Sequence, residues 1–329
     1  MAKFRIAVPE GSVAELDWIE GLARELDVEL VFGPLETVGD VIALTQGCDA
    51  LMVSLHRMDA EKISSLPASI KCMARMGVGL DSINLDAAIA AQIAVIFQPL
   101  YAVNEVANHA LAMVMALHRG LFSANEMIIK QKWGIATQVG ELTSLQDATV
   151  GVIGCGRIGQ AVIERMQPFA KRIIGYDVAS SAKIPGVEMV SSLDELLSQS
   201  QIVTLHAPYS PSTHHMIDSS QLAMMPPGAI LVNVSRGGLI NEDALAAALE
   251  SGHLSAAGLD VFETEPLPEN SVLRSTKNVV MSPHIAWYSR SSGPRLVQWS
   301  LSDVYTYLTE QKIKKGSLAT GPFRFREEI

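Results

Sequence analysis

The feature that most restricts the fold of this 329-residue chain is a set of short apolar runs that do not alternate, spaced by helix-like stretches. A strand with one wet face alternates, whereas one covered by helices on both faces reads apolar throughout. The first series is Phe4–Val8, Val28–Phe32, Ala50–Ser54, Ile70–Arg75 and Ile93–Phe97, with amphipathic Val13–Leu26 and Ile83–Ala91 between them. The second is Ala148–Ile153, Ile173–Tyr176, Ile202–Leu205, Ile230–Val234, Ala257–Val261 and Val279–Met281. Two such series predict an α/β chain with two parallel sheets, and the length suits two cores. Between them Asn104–Leu117 is apolar on nearly every side, which predicts a helix buried all round, a spine between two domains. Phe122–Leu145 carries Trp133 and no clear period, so it reads as a long loop or an arm reaching a second subunit. Leu296–Leu308 is helical and Lys312–Ile329 is a mixed-charge tail.

Composition narrows the partners. The formal charge of −10 argues against nucleic acid or an anionic membrane surface, which need a basic face. Cys48, Cys72 and Cys155 show no metal or CxxC spacing and read as reduced thiols of a cytoplasmic compartment. The first strand follows the N-terminal charges directly, so no signal peptide is expected. The longest apolar run, Ala110–Leu117, is far short of a membrane span.

Gly154, Gly156 and Gly159 form G-x-G-x-x-G, with Arg157 and Ile158 inside it, after an apolar strand and before Gln160–Met166. The first glycine permits a tight turn, the second lets a pyrophosphate approach the backbone, and the third brings helix close to strand. The next strand ends at Asp177, eighteen residues after Gly159. A carboxylate there suits ribose hydroxyls and repels a 2′-phosphate, which favours NAD over NADP despite Lys183 nearby.

Three later strands each end in a polar cluster: Asn233-Val234-Ser235-Arg236-Gly237-Gly238, then Asp260 to Pro266 with Glu265, then Ser282-Pro283-His284-Ile285-Ala286-Trp287. Singly, an arginine, a carboxylate and a histidine read as surface groups. Together after a dinucleotide turn they make an anion clamp, an acid and a base. Reduction of a 2-oxo acid needs a proton for the carbonyl oxygen and a hold on the carboxylate. Histidine suits the first task, because an unperturbed imidazole titrates at about 6.5. A neighbouring Glu265 would favour imidazolium and fix the tautomer, and Arg236 offers a bidentate fork.

With these motifs, and with Leu205-His206-Ala207-Pro208 and Thr213-His214-His215-Met216-Ile217, the sequence resembles the D-isomer-specific 2-hydroxyacid dehydrogenase family. It is nearest to the glyoxylate/hydroxypyruvate reductase, phosphoglycerate dehydrogenase and C-terminal-binding-protein branches. The resemblance implies two Rossmann-like/flavodoxin-like domains with a cleft between them. A discontinuous substrate-binding domain would take 1–102 plus 291–329, and an NAD-binding Rossmann domain 103–290. It implies His284 as general acid/base, Glu265 as its partner and Arg236 as the substrate clamp. Asp260 would stand near the nicotinamide, and His206, Ala207, Pro208, Thr213, Val234 and Ser235 along the cofactor. Arg75, Gly77, Val78, Gly79 and Trp287 would meet the substrate. It further implies a homodimer that interconverts small 2-oxo and (D/R)-2-hydroxy acids with NAD.

Asn108 stands where many members carry glutamate, and Leu80 and Ser82 also depart from the pattern. His56 and Arg57 are candidates for a second anionic group, against the plainer reading of an exposed polar loop. His109 and His118 read as hydrogen-bonded structural residues. The alternative function is an NAD(H)-sensing interaction protein of the C-terminal-binding-protein type. Formate-type chemistry is disfavoured because Glu265 stands where such enzymes carry glutamine.

Overall fold

The structure is a computed structural model that describes residues 3–11, 16–130, 133–134, 142–179 and 183–323. The chain divides into two compact units, Met1–Ala102 with Ser289–Ile329, and Val103–Tyr288.

In the first unit β1 (Phe4–Pro9), α1 (Leu16–Glu25), β2 (Val28–Gly33), α2 (Val38–Thr45), β3 (Ala50–Val53), α3 (Ala60–Ser64), β4 (Cys72–Arg75), α4 (Leu85–Ala90) and β5 (Ala94–Phe97) alternate. The strands lie side by side as β5-β4-β3-β1-β2, all parallel, the flavodoxin-like order. Every residue of β3 and β4 is buried, as the unalternated runs predict. Caps set the helix starts: Thr37 and Asp40 form a reciprocal box on α2, and Asn84 caps α4.

The second unit holds α5 (Val103–His118), α6 (Leu121–Ile129), β6 (Thr149–Ile153), α7 (Arg157–Met166), β7 (Arg172–Tyr176), β8 (Glu188–Met189), α8 (Leu193–Gln199), β9 (Ile202–Leu205), α9 (Ser219–Met224), β10 (Ala229–Asn233), α10 (Glu242–Glu250), β11 (Leu254–Leu259) and β12 (Val279–Met281). Its seven strands run parallel in the order β12-β11-β10-β9-β6-β7-β8. That is the doubly wound nucleotide-binding order, reversing between β6 and β9. The chain then returns to the first unit as α11 (Ser292–Glu310) and β13 (Ser317–Leu318).

Two expectations are corrected. Helix α5 buries one face, Ala107, Ala110, Met113, Val114 and Leu117, against α7, β10 and β11, while Asn104, Asn108 and Ala112 are exposed. Its spacing of three and four residues gives one buried stripe. The segment Phe122–Leu145 opens inside helix α6 rather than in a loop. Residues 131–132 and 135–141 of that expected arm lie outside the described residues. The tail contains β13, antiparallel to β5, because buried Asp303 of α11 accepts the N–H groups of Lys314, Lys315 and Gly316. Among the described residues no helix is long and apolar enough to cross a membrane.

Candidate active site

The glycine turn sits at the strand-order reversal. Gly154 follows β6 at φ +86°, a left-handed conformation that favours glycine, and a Cβ there would strike the backbone of His206 and Ala207 after β9. A Cβ on Gly159 would collide with the Gly154 carbonyl oxygen, so the third glycine seats α7 on the turn. Gly156 differs: it is exposed and a Cβ would meet no protein atom within 4 Å. Packing therefore does not demand glycine at 156, and the position is left open to a ligand. No side chain caps α7, so its first-turn N–H groups face outward as an anion site.

Asp177 follows β7 and reaches back into this turn. Its Oδ2 accepts the Cys155 N–H at 2.8 Å and its Oδ1 that of Ala179 at 2.8 Å. Lys183, beyond it, is exposed. At the end of β9, His206 Nε2 bonds Thr204 Oγ1 at 2.9 Å, while its Nδ1 is buried without a hydrogen-bond partner among the described residues. Burial pushes this imidazole down to about 3, so it stays neutral. Thr213 Oγ1 ties its loop together through the Pro208 carbonyl and the Ser210 N–H. Together these residues fit a dinucleotide: an open helix N-terminus for its pyrophosphate, a carboxylate for its ribose and a neutral polar edge across the reversal.

The reacting groups come from the ends of β10, β11 and β12. Asn233 fixes the arginine turn, donating to the Arg236 carbonyl at 2.8 Å and accepting the Ser235 N–H at 3.0 Å. Ser235 Oγ also donates to the Leu205 carbonyl, and Val234 is buried. Gly237 is needed because a Cβ would collide with the backbone of Phe262 and Glu263, which presses the arginine turn against the glutamate turn. Glu265 Oε1 accepts the Phe262 N–H at 3.0 Å, and Glu265 Oε2 meets His284 Nδ1 at 2.6 Å. Both side chains remain partly exposed, 30% for Glu265 and 25% for His284. Burial pushes the Glu265 carboxyl up, but the hydrogen bond and charge of His284, the Phe262 N–H and Arg236 together hold it below the ordinary carboxylate range.

His284 has φ +53°, unusual for a residue with a Cβ, and the surrounding bonds impose it. Its N–H donates to the Asp260 carbonyl at 2.8 Å and its carbonyl accepts the Trp287 indole N–H at 2.9 Å. Asp260 is wholly buried, and its carboxylate takes Ser282 Oγ–H, Ile285 N–H and Ala286 N–H.

Arg75, Gly77, Val78 and Gly79 stand at the end of β4 in the first unit. Arg75 is buried with its guanidinium turned onto the Met76 carbonyl, Gly77 has φ +144°, and Val78 is exposed. His56 and Arg57 follow β3 in the same unit; burial pushes the His56 imidazole down, with Glu36 opposing and Lys62 and Arg75 assisting. Asn233 and Ser282 were not singled out from sequence. Their signal was a polar residue closing an apolar strand or opening the turn after it, but the turns they hold are visible only in three dimensions. Among the described residues no group of three or more His, Cys, Asp or Glu side chains could hold a metal ion.

Comparison with known proteins places the molecule. The model of the NAD-binding domain of D-isomer specific 2-hydroxyacid dehydrogenases matches residues 111–286, more than half of the chain. The chain belongs to that family. An (S)-sulfolactate dehydrogenase of Chromohalobacter salexigens is 36% identical over 298 residues, 89% of this chain and 93% of that protein. A D-3-phosphoglycerate dehydrogenase of Mycobacterium leprae is 39% identical over 272 residues, 81% of this chain and 50% of that one. The chain thus spans about half the length of the phosphoglycerate dehydrogenases it matches. A D-lactate dehydrogenase from Aquifex aeolicus, solved with NAD and lactic acid, has a TM-score of 0.84 at 27% identity, covering 97% of this chain and all of that one. The glycine turn, Asp177 and the three strand-end clusters to Ala286 all fall within the family's NAD-binding domain.

Proposed function

We propose that the chain is an NAD-dependent dehydrogenase that reduces a small 2-oxo acid to its (D/R)-2-hydroxy acid and catalyses the reverse. The 2.6 Å bond between His284 Nδ1 and Glu265 Oε2, beside the Arg236 turn, carries this reading.

Glu265, held ionised, accepts the Nδ1 proton and leaves Nε2 of His284 as the position where a proton is exchanged. In reduction His284 gives that proton to the carbonyl oxygen; in oxidation it takes the hydroxyl proton back. Bound NADH supplies the hydride to C2. Arg236 holds the substrate carboxylate through its fork and offsets negative charge developing on the carbonyl oxygen. Asp177 selects the adenosine ribose of NAD, and His206 to Pro208, Thr213, Val234 and Ser235 line the cofactor. The Gly77–Gly79 turn lends backbone N–H groups to the substrate carboxylate, supported by Arg75. Trp287, its N–H already engaged, offers a ring wall to the substrate. The unit 1–102 with 291–329 binds substrate and 103–290 binds NAD. The three free, buried cysteines suit a reducing, cytoplasmic compartment. A homodimer is proposed from the exposed apolar face of α6.

Two relatives are named for acids that bear a second anionic group. Arg57 gives this chain a cation in the substrate-binding unit, beside a His56 imidazole that burial favours in its neutral form, so such acids belong in the test. The experiment follows NADH and NADPH oxidation with glyoxylate, pyruvate, hydroxypyruvate and the 2-oxo counterparts of phosphoglycerate and sulfolactate. Turnover with at least one acid, faster with NADH, is expected. Tight NADH binding without turnover on any of them would overturn the reading in favour of an NAD(H)-sensing interaction protein.

A further inference from the structure

His109 lies on α5, 173 residues before Ser282, yet its Nε2 stands 3.0 Å from Ser282 Oγ. The Ser282 hydroxyl carries one proton, and its 2.5 Å bond to Asp260 Oδ1 uses it. His109 must therefore be the donor to Ser282, through Nε2–H. The chain His109 to Ser282 to Asp260 ends on a buried carboxylate that also receives the N–H groups of Ile285 and Ala286. The Asp260 main-chain carbonyl receives the N–H of His284 itself. Every described hydrogen bond of the Asp260 carboxylate thus goes to the turn on which His284 adopts its left-handed conformation.

We propose that His109 is a positioning residue for His284: its Nε2–H, acting through Ser282 and Asp260, locks the 282–286 turn so that the His284 ring faces Glu265. The inference rests on the proposed role of His284. Geometry at that ring matters because a displacement of about 1 Å can cost about a hundredfold in rate. His109 Nε2 also stands 3.7 Å from Asp260 Oδ1, so its influence reaches His284 through the Asp260 carboxylate and the turn that carboxylate holds. Ser282 has an acceptor lone pair left for one donor, and a glutamine amide at 109 supplies one of comparable reach, whereas phenylalanine supplies volume alone.

The test compares His109→Phe and His109→Gln with the wild type in two measurements. Imidazole NMR titration of His284 reads its protonation midpoint without requiring turnover. Steady-state kinetics reads kcat against KM. His109→Phe is expected to move the midpoint and lower kcat about tenfold or more, with NADH affinity little changed, and His109→Gln is expected to restore most of both. If His109→Phe does not fold, Ser282→Ala is used instead, and adding His109→Gln to it should produce no further change. A His284 midpoint equal to wild type in the phenylalanine or alanine variant, or glutamine no better than phenylalanine, overturns the proposal. Absence of wild-type turnover defeats the functional reading, while the titration still decides the role of His109.

Discussion

At Glu265 two effects compete, and their balance sets the chemistry. Burial favours the neutral acid, while His284, the Phe262 N–H and Arg236 favour the carboxylate and prevail. A carboxylate whose folded value is depressed contributes stability above the unfolded value of about 4.5, and that contribution is lost as pH falls through the lower folded value. Glu265→Gln keeps the shape and removes the charge 2.6 Å from His284 Nδ1. The imidazolium then loses its counter-ion, so the alkaline limb of kcat/KM for 2-oxo acid reduction should move to lower pH by about one unit or more. A pH–rate profile with an unmoved limb would contradict the pairing. The residues of this pair were legible in sequence, because each follows an apolar strand and its chemistry complements the others. His109 was legible as a hydrogen-bonded structural residue, but its partner Ser282, and the turns that Asn233 and Ser282 hold, were not. Their partners are fixed by how β10, β11, β12 and α5 pack, which spacing along the chain does not encode.

At the scale of elements, unalternated apolar runs located most of the strands, and Ile202–Leu205 and Val279–Met281 coincide with β9 and β12. Strands of two residues, β8 and β13, carried too little pattern to be read. The limit of periodicity is clearest in α5, where an apolar composition predicted burial on all sides and one stripe is buried within its unit. Helix α6 is stronger still: none of its residues is buried, and Leu121, Phe122, Ile128 and Ile129 are all at least half exposed. Such a surface on one nine-residue helix is costly in water unless another chain covers it. Light scattering should therefore give twice the chain mass, and Phe122→Asp with Ile129→Asp should shift it toward the single-chain mass. A wild-type chain that remains single at micromolar concentration would contradict the homodimer.

For the whole molecule, two mostly parallel sheets of different strand order arise from one chain that leaves the first unit at Ala102 and returns to it at Ser289. The alternation of strands and helices showed two sheets, but the return of α11 to the first was implied by family resemblance alone, since a C-terminal helix carries no address in its own periodicity. The glycine turn, Asp177 and the three strand-end turns all stand in the second unit, at the carboxyl ends of parallel strands. In the proposed function His284 moves the proton in hydride transfer at that edge. Its most direct test is kcat for 2-oxo acid reduction by His284→Ala, in protein that still titrates NADH with wild-type affinity. A loss of about a hundredfold or more is expected if His284 is the proton donor. A variant that retains about a tenth or more of wild-type kcat would contradict it.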